Sequence, residues 1–184
     1  MLIRFFDLFL ALFGLLFLWP ILLCICILGY LDTKSPIFKQ TRVGRNQQAF
    51  TLLKFRTMST DTKSVATHLV GLDSVTKLGS FLRRSKLDEL PQLINVLCGD
   101  MSLVGPRPCL FNQKHLILER EARGVFNTRP GITGLAQINN VDMSNPKKLA
   151  RFDALMNNNN SVIFYFYILC NTVVGKGRGD CVKR

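Results

Sequence analysis

A chain of 184 residues holds one compact domain and leaves little room for a second. It carries a formal charge of +12, yet hydrophobic residues make up 48% of it. A soluble nucleic-acid binder would be basic without being this apolar, so the balance points to an anionic membrane surface, anionic substrates, or both.

Six cysteines form no CxxC pair and no zinc-like spacing, and read as reduced structural thiols of a cytoplasmic domain. His68 and His115 stand alone in polar surroundings, without the company that a metal or catalytic role requires.

From Leu8 to Leu31 there are 24 consecutive residues without a charge. As a straight helix they cover about 36 Å, enough to cross a ~30 Å hydrocarbon core. The run is too long for a signal peptide and has no small-residue cleavage site after it, so membrane insertion is expected. Trp19-Pro20 divides it into halves of twelve residues, each too short to span. A re-entrant helix–break–helix dipping into one leaflet competes with a kinked spanning helix. Either way, Lys34, Lys39, Arg42 and Arg45 put the following segment in the cytoplasm.

Ser35 to Met58 reads as strand pieces around a Gly44-Arg45-Asn46 turn. In Lys54-Phe55-Arg56 two cations flank an aromatic. They pair with phosphate while the ring packs inward, or they face solvent on an edge strand. Ser59 to Lys77 is polar and loop-like. Leu78 to Arg84 is an amphipathic helical turn ending in Arg83 and Arg84.

The adjacent carboxylates Asp88-Glu89 follow, in the one stretch where opposite charges crowd an apolar neighbourhood. Pro91 fits the first turn of a helix over Leu90–Leu97, which places Asp88 near its N-cap and Glu89 in the first turn. Free N–H groups there favour an ionised carboxylate and a nearby phosphate. The same residues also make ordinary helix punctuation. Gly105-Pro106-Arg107-Pro108 presents Arg107 from a stiff loop, either as a phosphate clamp or as a plain turn.

Leu110 to Arg123 has the periodicity of a surface helix. Arg129-Pro130-Gly131-Ile132-Thr133-Gly134 is a glycine-rich turn with one cation, lacking the Lys-Ser/Thr of a P-loop. Pro146 to Met156 reads as a helix and Asn157–Asn160 as a short linker. Ser161 to Val174 is apolar and too short to span; Tyr165 and Tyr167 suit a membrane interface, and a buried core segment is the alternative. A basic tail from Lys176 closes the chain and suits lipid headgroups.

Taken together, these pieces resemble the bacterial sugar transferases of the monotopic phosphoglycosyl transferase family, the undecaprenyl-phosphate sugar phosphotransferases. The resemblance rests on the apolar run with its central Pro20, Phe38–Gly44, Lys54–Met58, Leu87–Leu93, Gly99–Pro108 and Arg129–Gln137, in that order across almost the whole chain. It implies a predominantly helical α/β domain. Residues 1–33 would form a re-entrant membrane hairpin, and 34–184 a cytoplasmic catalytic domain with interface helices and an interfacial C-terminal segment.

It also implies an activity at the cytoplasmic face of the bacterial inner membrane. Sugar 1-phosphate would pass from a UDP-sugar to polyprenyl phosphate through an aspartyl-phosphosugar, opening the synthesis of a polysaccharide such as O-antigen or capsule. Carried onto this chain, Asp88 is the nucleophile and Glu89 the Mg²⁺-binding carboxylate. Arg83 and Arg107 would contact phosphate, with Lys54, Arg56 and Arg129 as further nucleotide or phosphate contacts.

Two departures stand out. Trp19 precedes the proline where relatives often have Ser, and Tyr165-Phe166-Tyr167 replaces a common Asp-Leu-Lys run. A non-catalytic membrane scaffold, with Asp88-Glu89 as a mere cap, is the rival reading. A tethered nucleic-acid binder has only the charge in its favour, and no nucleic-acid partner is expected.

Overall fold

The computed structural model describes residues 2–60, 74–159 and 161–176. Most of the expected Ser59–Lys77 loop, with His68, and the tail beyond Lys176, with Cys181, lie outside them. Helices dominate the described residues, joined by two small two-stranded sheets.

Helix α1 (Leu2–Thr33) begins six residues before the uncharged run and continues through Pro20. A helix–break–helix and a continuous helix kinked at Pro20 were the competing expectations, and α1 is one continuous helix. Proline removes one hydrogen bond, and a wholly apolar segment offers the remaining backbone groups no partner better than the helix itself. One stripe of α1 meets the domain along its length. Asp7 and Ala11 are buried near one end, Ile25 and Gly29 near the other. The opposite face exposes Phe5, Phe9, Leu12, Phe13, Leu16, Phe17 and Trp19.

The next segment forms the expected hairpin. β1 (Ile37–Val43) pairs antiparallel with β2 (Ala49–Phe55), Ile37 opposite Phe55 and Val43 opposite Ala49. Asn46 takes the left-handed conformation in the turn, as asparagine does readily. The period-2 alternation of β2 turns Leu52 and Lys54 inward, and Lys54 is only 8% exposed.

Helix α2 (Lys77–Ser85) starts at Thr76, whose hydroxyl accepts from Gly79 N, and stops at Lys86 in the left-handed region. A 3₁₀ turn, Leu87–Glu89, carries the carboxylate pair into α3 (Gln92–Cys98). The helix expected over Leu90–Leu97, with Asp88 near its N-cap, therefore starts two residues later. Pro91 occupies the cap position without a side-chain bond, and Asp88 lies in the preceding tight turn, 5% exposed. Asn95 fixes α3 against the hairpin, its Oδ1 accepting from Leu53 N and its Nδ2 donating to Thr51 O.

Two turns singled out separately in the sequence prove to be partners. β3 (Ser102–Val104) runs parallel to β4 (Gly131–Thr133), bringing Gly105 against Arg129-Pro130-Gly131. A Cβ on Gly105 would lie 2.6 Å from Arg129 O, so the close backbone approach requires glycine there. The pairing fixes where the loop carrying Arg107 leaves the sheet.

α4 (Lys114–Glu121) is shorter than the surface helix expected over Leu110–Arg123. One of its cations, Arg120, is among the most buried side chains described. After α5 (Leu135–Ile138), α6 (Pro146–Asn158) is capped by Asn145 and takes in Asn157 and Asn158, which read as linker.

α7 (Val162–Val173) buries Tyr165 and Ile168 and exposes Ile163, Tyr167 and Val173. Of the two readings of this segment, the buried one holds for Tyr165, whose hydroxyl donates to Asp7 Oδ1 at 2.9 Å. Asp7 also accepts from Ser102 Oγ and Leu103 N, which ties α1, β3 and α7 into one knot. The apolar core follows, with Ala11, Leu52, Leu93, Val96, Met101 and Leu103 packed beside Tyr165.

Candidate active site

The turn between α2 and α3 holds Asp88 and Glu89 against the inner face of the hairpin. Glu89 Oε1 accepts from Lys54 Nζ at 3.1 Å and from Arg107 NH2 at 2.8 Å. Lys54 comes from β2 and Arg107 from the loop after β3, so two independent elements deliver cations to one carboxylate oxygen. These charge-assisted contacts are only partly exposed, and water screens them less than surface pairs.

Arg107 is itself braced from behind. The buried Arg120 guanidinium donates through NH1 to Arg107 O at 2.9 Å and pairs with Asp153 Oδ2 through Nε and NH2. Burial pushes the Asp153 carboxyl above its usual range, with the Arg120 charge opposing the shift. Arg42 adds a further cation. Its Nε and NH2 grip Gln40 Oε1 while NH1 donates to Pro108 O, on the far side of the same loop.

The other cations expected at the site divide into two groups. Arg83, at the end of α2, donates Nε to Thr57 Oγ1 and leaves a buried NH1 with no partner. Arg56 turns outward to Ser35 O and lies over the Phe38 ring. Arg129 donates to Gly99 O beyond the end of α3, whose C-terminal carbonyl at Val96 also receives Arg4. Its own pKa is lowered by burial, then by the nearby charges of Arg4 and Arg45. Lys54, Glu89 and Arg107 thus converge, whereas Arg56 and Arg129 bind backbone elsewhere.

Beside Glu89 and Arg107 opens a cleft of about 210 Å³. Leu90, Leu93, Leu103, Ile132 and Leu169 give it apolar walls, and Lys86 and Lys176 stand at its rim. Three residues of the motifs behind the resemblance were given no role at the site: Gln137 lines this cleft, and Arg42 and Gln92 line a smaller space beside Lys54 and Arg107. Among the described residues no three His, Cys, Asp or Glu gather as a cage. The Asp88 and Glu89 carboxylates are hard oxygen donors of the kind magnesium takes.

The bacterial sugar transferase family model matches residues 1–177. The chain belongs to that family. It is 42% identical to an uncharacterised sugar transferase, EpsL, of Bacillus subtilis strain 168, over 92% of this chain and 84% of the relative. With the exopolysaccharide production protein PSS of Rhizobium leguminosarum bv. phaseoli it shares 39% identity over 96% of each chain. The UDP-glucose:undecaprenyl-phosphate glucose-1-phosphate transferase of Escherichia coli K12 is 44% identical over 72% of this chain, which spans only 30% of that longer protein. The chain is therefore a transferase, and its carboxylate turn falls within the matched region.

Proposed function

We propose that this chain moves a sugar 1-phosphate from a UDP-sugar onto undecaprenyl phosphate, through a covalent phosphosugar on Asp88. The observation that carries the reading is a buried aspartate beside a glutamate that already collects two cations from separate elements. Such a site suits a nucleophilic carboxylate facing a phosphate whose charge must be neutralised.

In the first step an Asp88 carboxylate oxygen attacks the β-phosphorus of the nucleotide sugar. A P–O bond forms to Asp88, the bond to the α-phosphate oxygen breaks, and UMP leaves with that electron pair. In the second step an oxygen of undecaprenyl phosphate attacks the same phosphorus and Asp88 departs as carboxylate, giving a lipid diphosphate sugar. Arg107, Lys54 and the open NH1 of Arg83 hold phosphoryl oxygens, while Arg56 and Arg129 support the framework. Glu89 would hold magnesium, which when bound would supply charge neutralisation.

The apolar cleft beside Glu89 suits the first isoprenoid units of the lipid acceptor. We read α1 as entering the inner membrane from the cytoplasmic side and remaining there, since residues near both of its ends pack on the domain. UDP-glucose is the first donor to try, because it appears in the name of a 44% identical relative.

The test is UMP release from a UDP-sugar panel by the purified chain, with mass spectrometry of the Asp88 peptide. Asp88→Asn is expected to abolish both turnover and the phosphosugar adduct. Unchanged turnover in that variant would sink the nucleophile assignment.

A further inference from the structure

Gln92, the first residue of α3, is 2% exposed, and its Nε2 has no hydrogen-bond partner. A buried donor without an acceptor costs stability, and native proteins carry few of them. An apolar residue of the same size would fill this position without that cost.

Gln92 borders a void of about 10 Å³ between the hairpin and the Arg107 loop, with Arg42, Lys54 and Arg107 as its charged neighbours. Leu52 and Ile132 close it with apolar surface. The space admits about one small oxygen atom or water. Three cations and one orphan amide donor around an oxygen-sized space form a set of donors, which is what an acceptor-only ligand needs.

We propose that Gln92 is a phosphate-binding residue, its carboxamide donating to a phosphoryl oxygen seated among Arg42, Lys54 and Arg107. The ligand's identity rests on the transferase reading, and its phosphate comes from either the nucleotide donor or the lipid acceptor. In the free protein the amide remains unsatisfied, and binding supplies the missing acceptor. Stability and function therefore pull in opposite directions at this position.

Two variants of the detergent-solubilised full chain test this. Gln92→Met keeps the volume without the donor, and Gln92→Glu replaces the donor with an acceptor that pairs with the surrounding cations. Both are expected to melt at or above the wild-type temperature. Inorganic pyrophosphate should raise the wild-type melting temperature and raise that of the variants far less.

In turnover, KM should rise roughly tenfold or more, the worth of a hydrogen bond to a charged group. A rise for the UDP-sugar assigns the donor phosphate, and a rise for undecaprenyl phosphate assigns the acceptor. A lower melting temperature with the pyrophosphate shift intact would make Gln92 a packing residue and overturn the proposal. Equal shifts in all three proteins, or none in the wild type, would also overturn it and leave a water in the void. If the wild type releases no UMP but keeps a Gln92-dependent shift, the phosphate site stands and the transferase reading falls.

Discussion

Arg107 and Arg129 each sit beside a proline in a glycine-containing turn, and nothing local tells them apart. Their partners do, since Arg107 reaches a carboxylate in the cleft and Arg129 caps the backbone beyond α3. Arg107→Ala is therefore expected to lower UMP release at least a hundredfold and, by taking one of its two cations from Glu89, to cost about 1–3 kcal/mol in stability. Arg129→Ala should instead cost about 1 kcal/mol in chemical unfolding and leave turnover within a few-fold. The sequence could not make this division, because the deciding carbonyl of Gly99 lies thirty residues away and only the β3–β4 pairing brings it near.

The same blindness hid Arg120, which the periodicity of its helix placed at the surface although it is 1% exposed. Its partner sets a pH dependence. Burial raises the folded pKa of Asp153, so the folded state holds that proton more tightly than the unfolded chain. The stability this contributes is full below the ordinary carboxylate range and is lost as pH rises through the raised value. The stability of the wild type relative to Asp153→Asn should fall across that window in denaturant titrations. Asp153→Ala, which strands a buried guanidinium, should cost about 3–5 kcal/mol.

At the scale of elements, what could be read was what repeats. The β1–β2 hairpin was legible because its alternation and its Gly-Arg-Asn turn are local signals. The α6 helix was legible because Asn145-Pro146 marks its start. The start of α3 was misplaced, because a 3₁₀ turn and a capped helix share the same short pattern of Asp, Glu and Pro.

Asp7 escaped notice altogether, a lone carboxylate just before the apolar run. Yet it joins three elements through one oxygen, and α7 reaches it only through Tyr165. The Tyr165 hydroxyl is thus the donor by which α7 is tied to α1. Tyr165→Phe should cost about 1–3 kcal/mol. Tyr165→Ala should cost more, about 3–5 kcal/mol, because it also leaves a cavity in the core beside Ala11 and Leu103. Denaturant titrations of the three proteins would separate the hydrogen bond from the ring packing.

For the whole molecule, the question is how a 32-residue apolar helix can carry a domain without leaving it. A straight helix of that length covers about 48 Å, well beyond a ~30 Å hydrocarbon core. A crossing would carry one end to the far side of the membrane. In this fold Asp7 is bonded to Ser102 and Tyr165, while Ile25 packs with Phe55 and Leu82. Both ends thus remain with the domain, and the aromatic row Phe5, Phe9, Phe13 and Phe17 faces away from it. That outer face and the exposed side of α7 are apolar surfaces of the kind that meet lipid.

The chain's single tryptophan, Trp19, lies on this face halfway along α1 and reports on it directly. In vesicles containing anionic lipid its emission should shift to the blue. Lipids brominated along the acyl chain should quench it, and aqueous iodide should not. A single cysteine placed at Leu2 and another at Lys34, in a chain otherwise free of cysteine, should both react with an impermeant maleimide from the cytoplasmic side alone. Reaction of the Leu2 site from the opposite side would establish a crossing helix. The Asp7 knot would then have to open in the membrane, and loss of the Tyr165→Phe penalty in vesicles would reveal that opening.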